Sequence, residues 1–91
     1  MPALTFDLII RTPSSARWAI LHDQTQVGSV DMHVEQQRAR ATIIVASTLD
    51  EAALDEIIEA FDEQMIPDEF RRDVRLTVWR GESLGTFAPA G

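Results

Sequence analysis

The chain has 91 residues, 45% of them hydrophobic and 25% charged, with a formal net charge of −7 and no cysteine. At this length it closes a single core and leaves no room for a second domain, and at this composition it is globular rather than disordered. The missing cysteines exclude a disulfide framework and a thiolate zinc centre, and two histidines leave only carboxylate-dominated metal sites, so neither metal nor cofactor is expected.

The opening Met1-Pro2-Ala3-Leu4-Thr5-Phe6-Asp7 has no positively charged leader and meets a carboxylate early. No stretch approaches the ~18 apolar residues of a membrane span, so a cytoplasmic protein without membrane contact is expected. Apolar residues then recur at a period of two, which predicts strands. The first runs from Leu4 to Arg11 and ends at the turn Thr12-Pro13-Ser14-Ser15; the second runs from Ala16 to His22. After Asp23-Gln24-Thr25-Gln26 comes a third from Val27 to Val34, then Glu35-Gln36-Gln37-Arg38, then a fourth from Ala39 to Ala46.

Reading each four-residue gap as a hairpin loop pairs Arg11 with Ala16, His22 with Val27 and Val34 with Ala39. That register puts Phe6, Leu8, Ile10, Ala19, Leu21, Val30, Met32, Val34, Ala41, Ile43 and Val45 on one face, the expected core. Ile9, Trp18, Ile20, His22, Val27, Ser29, Asp31, His33, Arg40, Thr42 and Ile44 fall on the other.

Thr48-Leu49-Asp50-Glu51 supplies a capping box, with Thr48 capping and Glu51 reaching back, for a helix from Leu49 to Met65 that stops before Pro67. Ala53, Leu54, Ile57, Ile58, Phe61 and Met65 form its apolar stripe, and Asp55, Glu59, Asp62 and Glu63 look outward. The segment holds seven acids and no base, a number equal to the whole net charge. A polar connection from Pro67 to Asp73 leads to a fifth strand, Val74 to Arg80, with Gly81 closing it; Leu84 and Phe87 allow a short sixth strand in the tail. Arg71, Arg72 and Arg75 are expected to neutralise nearby carboxylates. The resulting fold class is α+β: a two-layer sandwich of an antiparallel sheet, β-β-β-β-α-β, with one helix on one face. The last strand is expected beside the first, with a place beside the fourth left open.

The strand meander followed by Thr48-Leu49-Asp50-Glu51-Ala52-Ala53-Leu54 resembles small antitoxin-type domains of three strands and a helix, which bind a toxin. That resemblance covers only this one helix start, a pattern common to capped helices, and assigns no family.

No nucleophile with its base, no metal-ligand cluster and no phosphate-cradling glycine loop is present, so a non-enzyme is expected. The open face carries both tryptophans in this register, and Ile9, Trp18, Ile20, Ile44 and Trp79 form a patch that calls for a cover: a second copy, another protein, or the tail through Leu84 and Phe87. The leading expectation is a protein-interaction module that homodimerises through this face, with Asp55, Glu59, Asp62 and Glu63 open to a basic partner. Two rivals stand beside it. Asp31, His33 and Arg40 could serve a small ligand-binding or catalytic domain with a concave pocket, and the acidic helix could mimic nucleic-acid charge. Direct nucleic-acid binding is not expected of so acidic a chain.

Overall fold

The computed structural model describes residues 4–81; the tail, with the sixth strand predicted through Leu84 and Phe87, lies outside the described residues. Among the described residues five strands form one sheet in the order β1 (Leu4–Arg11), β2 (Ser15–His22), β3 (Thr25–Glu35), β4 (Arg38–Val45), β5 (Val74–Arg80), with one α-helix, α1 (Glu51–Met65), between β4 and β5. The α+β class is as expected, but the sheet is mixed: the first four strands are antiparallel and β5 runs parallel to β4. β5 therefore lies beside β4 and not beside β1. A parallel neighbour requires the connection to travel back along the strand, and that return uses up the ~22 Å of a 15-residue helix. β1 remains an edge.

The hairpin connections are shorter than predicted. Asp23 and Gln24 make a two-residue turn between His22 and Thr25, and Gln36 and Gln37 make another between Glu35 and Arg38. All four have positive φ, between 51° and 70°, the conformation whose twist matches a β-hairpin. At Gln36-Gln37 the loop shortens by one residue on each side, so Val34 still faces Ala39 and the predicted β3–β4 register holds. The first turn also keeps its predicted register, Arg11 opposite Ala16, with the Thr12 hydroxyl accepting from the Ser15 amide at 3.0 Å.

β2 is where the prediction fails. The register shifts by one residue at Ile9, between Leu8 opposite Trp18 and Ile10 opposite Arg17, and again at Val27, between Ile20 opposite Gly28 and Leu21 opposite Gln26. A bulge adds one residue to one strand, and one residue reverses which side chains face the core. With a bulge on each side, β2 alone is turned over. Trp18 and Ile20, predicted on the open face, are 3% and 0% exposed beneath α1, and His22 shares their side; Ala19 and Leu21, predicted in the core, face away from it. Ile10, beyond the first bulge, also leaves the core side, while Val27 packs against the core.

The core is thus a layer of Trp18, Ile20, Val30, Ala41, Ile43 and Val45 from the sheet against Ile57 and Phe61 from α1. Phe61 is fully buried and meets Trp18 and Phe6 edge to face, with ring centroids at 5.9 and 5.8 Å. The predicted helix stripe is correct. The cap is not: Asp50, rather than Thr48, accepts from the Ala53 amide at 2.8 Å. The helix then begins at Glu51, leaving Leu49 and Leu54, the positions of a hydrophobic staple, packed on the core. Beyond Ile66 the expected polar connection is a 3₁₀ turn, Asp68–Asp73, which tucks Phe70 against the core.

Gly28 is required by its close approach to β4: a Cβ there would collide with the Ile44 carbonyl oxygen. Replacing Gly28 by Ala is expected to destabilise the fold by about 1–3 kcal/mol, and Trp18→Ala by about 3–5 kcal/mol. Urea unfolding checks both; a Trp18→Ala protein as stable as the parent would contradict the burial of β2's Ala16, Trp18 and Ile20 face.

Candidate interaction face

Helix α1 covers one side of the sheet. Among the described residues no element covers the other, and the pairing registers arrange it in rows across the strands. One row is Asp7, Ala19, Ser29, Ile44 and Trp79; the next is Ile10, Arg17, Asp31, Thr42 and Thr77; a third is Ser15, His33, Arg40 and Arg75. Of the five residues predicted to carry association, Ile44 and Trp79 are neighbours on this face, 38% and 61% exposed. Ile9 stands exposed at the β1 bulge, and Trp18 and Ile20 are removed to the core. Sequence reasoning missed Ile10, which the bulge turns onto this face beside Arg17.

Asp31, His33 and Arg40 line one shallow open depression with Arg17, Thr42, Arg75 and Thr77, and His33 stands directly opposite Arg40, but the three side chains bond to different partners. Asp31 takes a two-pronged pair of hydrogen bonds from Arg17, the second at 3.3 Å, and this contact raises the Arg17 pKa above its already high ordinary value. His33 Nε2 lies 3.8 Å from Glu35 Oε2. Arg40 turns to the sheet end: its Nη1 donates to the Ala39 and Asp73 carbonyls at 3.0 Å, and its Nη2 to the Asp73 carboxylate at 3.2 and 3.3 Å.

Asp73 is the hub of this end of the face. Besides Arg40 it has Arg38 at 3.3 Å and Arg75 at 3.8 Å, so one carboxylate links two β4 arginines to the start of β5. The Arg40 hydrogen bonds hold its carboxyl below the usual carboxylate range; the charges of Arg40, Arg38 and Arg75 add to this, and partial removal from water opposes it. None of these four residues was singled out together from sequence, because Asp73 and Arg38 are far apart in the chain and meet only through the parallel pairing.

On the helix side, Asp55, Glu59 and Glu63 are exposed as predicted. Asp62 is engaged: Arg71 donates to its backbone carbonyl at 2.7 Å and to its carboxylate at 3.4 Å, and also pairs with Asp68 at 3.2 Å. Arg71 and Arg75 thus neutralise nearby acids as expected, while the side chain of Arg72 lies outside those described. Among the described residues no group of three or more His, Asp or Glu side chains is placed to hold a metal ion, and no helix is long and apolar enough to cross a membrane. No protein-family model, curated protein or solved structure matches the chain.

A carboxyl whose folded pKa is depressed stabilises the fold at pH values above its unfolded pKa, and that contribution disappears as pH falls through the folded value. The stability advantage of the parent over an Asp73→Asn variant is therefore expected to be full at neutral pH and to vanish on acidification below pH ~4. Urea midpoints of both proteins across that range check it; a difference that does not change with pH would refute the role given to the Asp73 charge.

Proposed function

We propose that this protein is a non-catalytic interaction module that pairs with a second copy of itself through the sheet face opposite α1. The observation that carries this reading is Trp79, 61% exposed beside Ile44 on that face, a large aromatic in the setting typical of an association hot spot. Beside it on the same face lie Thr77 and Thr42, with Ser29 and the Arg17–Asp31 pair further across the sheet, a polar surround of the kind that rims such anchors.

Charge favours a second copy as the occupant. By strand alternation Arg17, Arg38, Arg40 and Arg75 share the face and its Asp73 end with Asp7, Asp31, Glu35 and Asp73, so this surface is balanced although the chain is strongly acidic. The excess acids sit on α1, on the far side of the sheet. Two copies meeting sheet to sheet place their acidic helices on opposite outer surfaces, far from each other. Their outer surfaces then present Asp55, Glu59 and Glu63 to a basic partner.

Replacing Trp79 by Ala is expected to weaken dimerisation by about 2 kcal/mol, roughly thirtyfold in dissociation constant, without unfolding the chain. Sedimentation equilibrium over a concentration series measures it. A parent that stays monomeric, or a Trp79→Ala variant that dimerises as tightly as the parent, removes the assignment.

A further inference from the structure

Among the described residues β1 and β5 are the two edges of the sheet, and they are built differently. β5 presents Arg75, Thr77, Trp79 and Arg80 along its exposed positions, whereas β1 between Leu4 and Ile10 has one charge, Asp7, and no proline. Charges and prolines are how free edges are normally guarded, and an apolar unguarded edge is a template for another strand. The core layer also runs out to β1 without finishing there. Leu4, Phe6 and Leu8 line its helix side; Phe6 packs on Phe61 and Leu4 against the core, but Leu8, last in the row, is 52% exposed.

We propose that β1 is a second association site, at which the β1 of another copy adds antiparallel and extends the sheet. A strand that fits here must put apolar side chains on the helix side and polar ones on the other, over the bulge-free stretch from Leu4 to Leu8. β1 itself has that pattern. A two-fold axis at Phe6, normal to the sheet, sets Phe6 opposite Phe6, Leu4 opposite Leu8 and Thr5 opposite Asp7 of the other copy. Every helix-side residue then meets a helix-side residue, as strand pairing requires. Leu8 is covered by Leu4 of the second copy, and Thr5 can donate a hydrogen bond to Asp7 on the open face. The bulge at Ile9 ends the pairing, which keeps it short. The face around Trp79 is not involved, so this contact stands apart from the one proposed above.

The chain's lack of cysteine gives a direct test of register. Thr5→Cys and Asp7→Cys are both exposed substitutions, and directly opposed Cα atoms in an antiparallel pair lie about 4.5–5.5 Å apart, inside the disulfide range of about 4.4–6.8 Å. Each variant alone places its thiol diagonally from its copy, at about 7–8 Å, out of reach. Mixed and oxidised with copper phenanthroline, the two variants are expected to give a covalent species of twice the monomer mass, and each alone to give none. Adding Leu8→Lys to both should abolish the product, while adding Trp79→Ala should leave it, which separates this contact from the open face. No product in the mixture, or equal product in all three samples, overturns the proposal.

Discussion

The fold depends on the orientation of one strand. β2 carries Trp18 and Ile20 on one side and Arg17, Ala19 and Leu21 on the other, and its two bulged neighbours decide which set meets Phe61. Each bulge costs ladder pairing, and together they let β2 turn over while most of β1, and β3 and β4, keep their faces. What repays that cost is burial of the larger set: Trp18, in a T-shaped contact with Phe61, and Ile20, fully sequestered, contribute far more apolar area than Ala19 and Leu21 would. The same turnover decides the character of the uncovered face, which loses an apolar centre at Trp18 and Ile20 and gains the Arg17–Asp31 pair. Its apolar weight shifts to Ile44 and Trp79 on β4 and β5, with Ile10 on the far strand.

Much of this was legible in the sequence. Strand alternation, the apolar stripe on α1 and the polar interruptions gave five strands and a helix at nearly the observed bounds, and the β3–β4 register followed because its loop shortens symmetrically. The bulges were not legible. Asp23-Gln24 and Gln36-Gln37 adopt turns usually marked by Asn-Gly or Asp-Gly, and without that mark Thr25 and Gln26 read as loop rather than strand. One signal was available: within β2 Trp18 and Ile20 share a side with Ala16, while Arg17 stands on the other, so the strand's own pattern already favoured burying Trp18. The position of β5 was a matter of direction, which composition does not encode. The same holds for the Asp73 hub, whose arginines come from β4 and β5 and meet only once those strands run parallel.

Charge and shape act together in what this molecule can do. The helix holds seven acids, a number equal to the net charge, and among the described residues only Asp62 of the four outward ones is tied down, by Arg71. The opposite face pairs its arginines with acids of its own, through Arg17 with Asp31 and through Asp73 with Arg38, Arg40 and Arg75. These exposed pairs add little to stability individually. They lie outside the row in which Ile44 and Trp79 stand exposed.

The two tryptophans make the central proposal open to a single optical experiment. Trp18 is buried and Trp79 is exposed, so acrylamide should quench only the Trp79 emission when the protein is dilute. If copies meet through the Trp79 face, the quenchable component must shrink as the protein is concentrated, at unchanged Trp18 emission. A quenchable component that stays constant from dilute to concentrated solution, while the protein assembles or fails to assemble, would place Trp79 outside any contact between copies and contradict the self-pairing of that face.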